Sequence, residues 1–281
     1  MKSGPLSGAR GELLAEIQNI KMKAYCINLD RRQDRRDHMW AQFERLGVDV
    51  ARIAAFDGNL PEFAEQTKVL APGVNGLRLG SGAFACFQSH RLCWLKLIES
   101  GSPHAMVLED DLVIAEGFSR YLSDDWVPAD ADIVKLETRT VRVLLDREVI
   151  PVDPGHYLSR LRSSHFGGGG YVISAKAADR LYRLTETVID AVDEVIFDMR
   201  HEVFHTLAIY QMVPGPVIQG DIRPLGSADH TWSKTSMLNR FGPGETADEG
   251  KLSLPRRIVR RLKAEGRALF EGKRYVFVDH G

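Results

Sequence analysis

Three consecutive acids close an apolar run in Ala105-Met106-Val107-Leu108-Glu109-Asp110-Asp111-Leu112-Val113. The run fits a buried strand. Three carboxylates at its end repel one another and are costly to keep ionised away from water. A divalent cation removes that conflict, because hard cations prefer clustered carboxylate oxygens. In open α/β sheets, ligands bind beyond the carboxyl ends of the strands. The stretch is therefore a candidate metal and ligand site; the plainer alternative is a charged surface turn.

Three further groups could carry chemistry. Asp30-Arg31-Arg32-Gln33-Asp34-Arg35-Arg36-Asp37 lies past one strand and opens a helix, a position that suits an anionic ligand such as a diphosphate; the plainer alternative, the usual one for a charge run, is a solvated helix face. Cys86, His90 and Cys93 share a helix face at metal-ligand spacing, but no fourth ligand is close, so a packed face is the preferred reading. His201-Glu202-Val203-Phe204-His205 matches the H-E-x-x-H pattern of zinc metallopeptidases. That chemistry needs both imidazoles on one helix face and a third ligand downstream, whereas a strand-like run starts at Leu207.

These residues need elements to position them. Ala24 to Leu29 reads as a first strand, followed by a helix with Met39, Trp40, Phe43 and Leu46 on its apolar stripe and Gly47 as its stop. Val48 to Phe56 reads as a second strand, with a turn at Asp57-Gly58. Pro61 to Leu79 reads as loop-rich, and a long helix covers Ala83 to Ser100. Asp132 to Glu137 and Leu207 to Val213 read as strands, and Val141 to Val152 as a hairpin or insertion. Gly167 to Gly170 precedes the strand Tyr171 to Ile173, with no phosphate-loop Gly-Lys-Ser/Thr. Ser174 caps a helix over Ala175 to Thr185, and another helix opens at Asp190-Ala191-Val192-Asp193-Glu194. The alternation of strands and helices predicts an α/β fold with a mostly parallel central sheet and helices on both faces.

Residues 1–21 read as a peripheral N-terminal extension, 22–220 as one catalytic domain, and 221–281 as a variable region. In that last region Arg256, Arg257, Arg260, Arg261, Lys263, Arg267, Lys273 and Arg274 punctuate apolar residues. Such a basic amphipathic tail suits an anionic membrane surface or, equally, a polar-faced terminal helix. The 281 residues are 44% hydrophobic and 27% charged with a net charge of −1. No global field points to nucleic acid as a partner. The three cysteines are not a disulfide framework, and no apolar run reaches the roughly 20 residues of a membrane span. The expected location is cytoplasmic, with peripheral membrane association through the tail.

In order and spacing, several segments together resemble glycosyltransferase family 25, which acts in lipopolysaccharide biosynthesis and collagen galactosylation. They are Ile27-Asn28-Leu29-Asp30-Arg31-Arg32 with Arg35-Arg36, Ala55-Phe56-Asp57-Gly58, Gly82 through Ser89-His90, Val107-Leu108-Glu109-Asp110-Asp111, Gly170-Tyr171-Val172-Ile173-Ser174 with Ala177-Ala178, and Asp193. The resemblance implies a GT-A type fold, a UDP-sugar donor (typically UDP-galactose), Mn2+ or Mg2+, inversion at the anomeric carbon, and a glycan or lipid-linked glycan acceptor. It makes Glu109-Asp110-Asp111 a version of the D-x-D signature. Asp111, with Glu109 or Asp110, would hold the metal; Glu109 with Asp111 is the assignment carried forward, leaving Asp110 to the nucleotide sugar. Asn28, Leu29 and Asp57 would contact the uridine, and Arg32 and Arg35 would sit near the phosphates or support that pocket. Asp193 is the first choice of catalytic base, Glu194 the second and Glu137 the third. The zinc peptidase and a non-catalytic nucleotide-sugar-binding protein are the competing classes.

Overall fold

The structure is a computed structural model and describes residues 21–220, 267–268 and 271–281. In chain order, the first elements are β1 (Lys23–Asn28), α1 (Gln33–Leu46), β2 (Ala51–Ala54), α2 (Pro61–Lys68) and α3 (Ser81–Ser100). Then come β3 (His104–Glu109), β4 (Leu112–Ile114), a 3-10 turn (Phe118–Leu122), β5 (Ile133–Lys135) and β6 (Glu137–Thr138). The elements β7 (Arg142–Asp146), β8 (Ile150–Asp153), β9 (His156–Arg160), β10 (Gly170–Ser174), α4 (Ala175–Leu184) and α5 (Val192–Phe197) follow. The last are α6 (Glu202–His205), β11 (Ile209–Val213), β12 (Val217–Gln219) and β13 (Lys273–Phe277).

The central sheet has eight strands in the order β2-β1-β3-β10-β5-β11-β9-β8. The pairs β1/β2, β1/β3 and β5/β11 are parallel and the other pairings antiparallel. Six strands (β1, β2, β3, β5, β8 and β11) thus point one way, and β9 and β10 run against them. The inner strands are buried on both faces, and their residues alternate between two cores. Tyr25, Ile27, Ala105, Val107, Tyr171 and Ile173 face one core; Ala24, Cys26, Met106, Leu108 and Val172 face the other. This is the pattern of a sheet covered on both sides. Helices α2 to α5 cover the first face, through residues such as Phe63, Trp94, Leu181 and Ile196. On the second face lie α1, through Met39, Phe43 and Leu46, and the 3-10 turn. The α/β architecture with helices on both faces is the expected one.

Strand β1 leads through α1 to β2 on one side, and the chain then returns through α2 and α3 to β3 on the other. The carboxyl end of β1 is therefore a switch point, where ligands bind in sheets of this kind. Local chemistry fixes the boundaries. Gly47 ends α1 in the left-handed conformation (φ 64°), its N–H bonded to the Glu44 and Phe43 carbonyls. The Ser174 hydroxyl accepts the Ala177 N–H at 3.2 Å, as expected of an N-cap.

Two readings are corrected. Pro61 to Leu79 is not all loop: Pro61 starts α2, where its fixed φ suits a first helical turn. Phe63 is the one buried residue of that helix, so it lacks an apolar stripe to announce it. The stretch Val141 to Val152 is not a simple hairpin either. Its strand β7 pairs with β13, from the end of the chain, so Lys273 and Arg274 stand in a strand. Arg267 and Lys273 both pair with Glu271. Residues Arg256 to Lys263, and residues 1–20 of the expected N-terminal extension, lie outside the described residues. No described helix is long and apolar enough to cross a membrane.

The glycine run sits on a buried polar seam. Lys135 and Glu137, both with fully buried side chains, pair at 3.2 Å. Lys135 also donates to the Gly167 carbonyl and lies 4.1 Å from the centre of the Phe197 ring. Glu137 accepts the Gly169 N–H at 2.9 Å. Gly167 has φ 100°, and a Cβ there would stand 2.5 Å from the Glu137 carboxylate. So the glycines admit backbone against a buried carboxylate. Burial pulls the Lys135 ammonium down and pushes the Glu137 carboxyl up, each partly offset by the other's charge. Replacing Lys135 with Met leaves Glu137 buried without its counter-charge and lowers stability by about 3–5 kcal/mol. Denaturant titration measures this; a change below about 1 kcal/mol would contradict it.

His165 belongs to the same seam. It is 1% exposed, and its Nδ1–H donates to Gln211 Oε1 at 2.7 Å. Burial, with the charge of Lys135, holds its pKa down to about 3, against an ordinary value of 6.5. The folded pKa is the lower one, so the unfolded chain takes up the proton first. Stability is full above pH 6.5 and falls as the pH drops toward 3, by up to about 1.4 kcal/mol per pH unit from this group. Unfolding titrations between pH 7 and 4.5 test this: the slope flattens in His165→Gln, and an unchanged slope would contradict it.

Candidate active site

The acidic stretch sits where β3 ends. Glu109 is the last residue of the strand, Asp110 and Asp111 turn the chain, and β4 begins at Leu112. The three carboxylates have different partners. Asp110 is 6% exposed and fully engaged: Asn28 Nδ2 donates to Oδ2 at 2.7 Å and Arg35 to Oδ1 at 2.9 Å. Asp111 takes the same Arg35 on Oδ2 at 3.3 Å, while its Oδ1 is buried without a hydrogen-bond partner. Glu109 Oε1 accepts His90 Nε2–H at 3.1 Å and the Cys86 thiol at 3.7 Å; its Oε2 meets Gln219 Nε2 at 3.4 Å.

The electrostatics follow from that difference. Burial pushes the Asp111 carboxyl up to about 8, and the Glu109 charge adds to this against the pull of Arg35. Burial pushes Glu109 up as well, but the hydrogen bond and charge of His90, with the charge of Arg35, more than offset it and hold it below its usual value. An orphaned, charge-starved carboxylate oxygen beside a second carboxylate is what a hard dication fits. Glu109 and Asp111 are the pair that can hold one. Both oxygens of Asp110 are held tightly, at 2.7 and 2.9 Å, whereas the contacts of Glu109 are longer, at 3.1–3.7 Å.

The triplet opens on a cavity of about 300 Å³ at the carboxyl ends of β1, β2 and β3. Of the expected site residues, Leu29, Arg35, Asp57, Glu109, Asp110, Asp111 and Asp193 line it. Asn28, Arg32 and Glu194 are not among the lining residues. Asn28 is 1% exposed and braces the loop: Nδ2 donates to the Arg32 carbonyl and to Asp110, and Oδ1 accepts from Arg52. These bonds position Asp110. The Arg32 guanidinium grips Asp34 at 2.8–2.9 Å, and Arg35 is the internal counter-ion of Asp110 and Asp111. Arg31 also lines the cavity, paired with Asp57 at 2.6 Å. That pairing holds the Asp57 carboxyl below its usual range.

Beside the triplet, the glycine run and α5 form another part of the wall. Asp193 is 8% exposed, lines the cavity, and accepts the Gly167 N–H at 3.0 Å. Glu194 turns to the Ala191 N–H at 3.3 Å and to Asn75 at 3.4 Å. Glu137 is sealed in the buried seam, so it cannot reach a substrate hydroxyl. Arg139 and Gln219 also line the cavity, joined at 2.9 Å. The sequence offered no signal for them. A small sheet, β4-β12-β6, brings them together.

The H-E-x-x-H segment does not form a metal site. His201 is the extended N-cap of the four-residue α6, and its Nδ1 accepts the Val203 N–H. His205 Nε2 donates to the Met199 carbonyl at 2.7 Å. Two histidines share a helix face at this spacing only when both are helical. The one group of three or more Cys, His, Asp or Glu side chains spaced to hold a metal among the described residues is Cys86, His90 and Glu109.

The chain is 33% identical over 189 residues to the lacto-N-neotetraose biosynthesis glycosyltransferase LgtB of Neisseria meningitidis serogroup B, covering 63% of this chain and 68% of that protein. It is 31% identical over 206 residues to LgtE of Neisseria gonorrhoeae, covering 69% and 72%. It is 27% identical over 225 residues to the lipooligosaccharide biosynthesis protein lic2B of Haemophilus influenzae, covering 75% and 81%. Among solved structures, a glycosyltransferase involved in glycosylation of the major capsid of PBCV-1 aligns with a TM-score of 0.41 at 6% identity, covering 71% of this chain and 92% of that one. Residues 21–196 match the model of glycosyltransferase family 25 (LPS biosynthesis protein). The chain therefore belongs to glycosyltransferase family 25 and is a glycosyltransferase.

Proposed function

We propose that this enzyme transfers a hexose, galactose from UDP-galactose, to a lipopolysaccharide or other cell-envelope glycan, with inversion and with Mn2+ or Mg2+ at Glu109 and Asp111. The observation that carries the metal reading is the buried, partnerless Oδ1 of Asp111 beside Glu109 at the cavity. The relatives' names, which speak of lacto-N-neotetraose and lipooligosaccharide biosynthesis, support the substrate class. Glu109 and Asp111 would hold the dication, which would supply positive charge against the charge that builds on the departing UDP.

The chain's own residues do the rest. Arg35 and Asn28 hold the acidic turn in place. Leu29, Asp57 and the half-exposed Phe56 ring line the part of the cavity by β1 and β2, where the uridine binds. Arg31 and Arg139 supply positive charge for the phosphates. Asp193, which lines the cavity, takes the proton of the acceptor hydroxyl. That oxygen bonds to the anomeric carbon as the bond to UDP breaks from the opposite face. The acceptor is lipid-linked and is met at the cytoplasmic membrane face. A donor-by-acceptor transfer screen, read by mass spectrometry with and without EDTA, tests this reading. It predicts hexose transfer from a UDP-sugar only with the divalent ion. Transfer unaffected by EDTA, or none from any nucleotide sugar, would overturn it.

A further inference from the structure

Helix α3 and strand β3 together build a donor set that the transferase chemistry does not require. Cys86 and His90 lie one helical turn apart, so their side chains share a face. Strand β3 brings Glu109 against that face. Cys86 Sγ is 3.7 Å and His90 Nε2 is 3.1 Å from Glu109 Oε1, and the three ligand atoms all lie within 4.8 Å of one another. A tetrahedral Zn2+, with bonds of about 2.3 Å to sulfur and about 2.0–2.2 Å to nitrogen and oxygen, spaces its ligands about 3.3–3.6 Å apart. The two spacings to Glu109, 3.1 and 3.7 Å, bracket that range, and the third, between Cys86 and His90, is within 4.8 Å, so side-chain rotation can bring the trio into a coordination sphere.

The surroundings of His90 supply an independent observation. A metal-binding imidazole is normally fixed through its other ring nitrogen. His90 is fully buried, its Nδ1 is 2.9 Å from the Tyr171 hydroxyl, and that hydroxyl also accepts Trp94 Nε1–H at 2.9 Å. The ring is thus held with Nε2 aimed at Glu109 and Cys86. Cys86 and Glu109 both line the cavity, as does Gly168. A Cβ on Gly168 would stand 3.8 Å from both Glu109 Oε1 and His90 Cε1, so this glycine lies directly beside the trio.

We propose that Cys86, His90 and Glu109 form a binding site for a soft divalent cation such as Zn2+, with three protein ligands and an open fourth position on the cavity. Thiolate and imidazole select Zn2+ over Mn2+ or Mg2+, which prefer an all-oxygen set. On binding, the thiol proton leaves to solvent and Cys86 coordinates as thiolate. The ring hydrogen of His90 moves to Nδ1, and the Tyr171 oxygen accepts it. Burial and the nearby carboxylates hold the free thiol protonated; a coordinated dication reverses that balance. Glu109 is then shared between this soft set and the hard pair Glu109/Asp111, so Zn2+ withdraws a ligand from the other metal; this consequence rests on the proposed function.

Co2+ titration of the full-length reduced protein tests the site, because Co2+ bound to a thiolate gives a charge-transfer band in the near ultraviolet. One equivalent of Co2+ produces the band in the wild type, one equivalent of Zn2+ removes it, and Mn2+ does not. Cys86→Ser loses the band and binds Zn2+ at least ~100-fold more weakly. No band in the wild type, or a band that persists in Cys86→Ser, would overturn the proposal. The wild-type titration decides the matter even if the variant folds poorly. It reads metal on the protein, so it stands whether or not hexose transfer is found.

Discussion

Asp111→Asn lowers the rate of hexose transfer by about 10³-fold or more while the protein stays folded. The substitution keeps the shape of the side chain and removes its charge. In the native site Asp111 presents one oxygen to Arg35 and keeps the other buried without a partner. That oxygen is costly to keep ionised in the absence of a cation, so the residue contributes little to stability through it. Its loss falls on the bound dication and hence on the leaving diphosphate. Steady-state transfer at saturating Mn2+ measures the effect, with circular dichroism as the check on folding. A variant retaining more than about a tenth of wild-type activity would remove Asp111 from the metal site.

Asp193→Asn lowers kcat by about 10²–10⁴-fold and leaves donor affinity within a few-fold of wild type. The amide oxygen of Asn can still accept the Gly167 N–H that Asp193 accepts at 3.0 Å. The wall of the cavity therefore survives, and what disappears is the capacity to take a proton. Transfer kinetics together with UDP binding separate the two roles. Unchanged kcat would exclude Asp193 as the base. A parallel loss of UDP binding would make it a structural residue of the wall.

Much of this site was legible in the sequence, for physical reasons. An apolar run that ends in three acids has few stable arrangements, and the structure places it at a strand end by the switch point of the sheet. The arginine cluster was harder, because charge alone does not say which members face inward. Helix phase does: Arg35 precedes Met39 by four residues and shares the buried face with Gln42, Phe43 and Leu46. It is a core-facing counter-ion, not a surface cation. What the sequence could not reveal is long-range pairing. Asn28 and Asp110 are 82 residues apart and Arg35 and Asp110 are 75 apart, so the roles of both partners emerge only when β1 and β3 lie side by side. Arg139 and Gln219 meet because β6 and β12 pair, and neither short strand carries a periodic signal. Glu137 read as a strand-end acid available for chemistry. The glycine run seals it instead, since backbone can close over a carboxylate only where no Cβ intervenes. Cys86 and His90 share a helix face, as their spacing says, but Cys93 is buried in the core, and the residue that joins the other two is Glu109, from the next strand.

The central claim is that Glu109 and Asp111 hold a dication that in turn holds the donor diphosphate. Calorimetric titration of UDP into the protein tests it most directly, with the wild type in Mn2+, the wild type in EDTA, and Asp111→Asn in Mn2+. The account predicts UDP binding in the first case and at least ~100-fold weaker binding in the other two, a loss of about 2.7 kcal/mol. Equal UDP affinity in all three would contradict it.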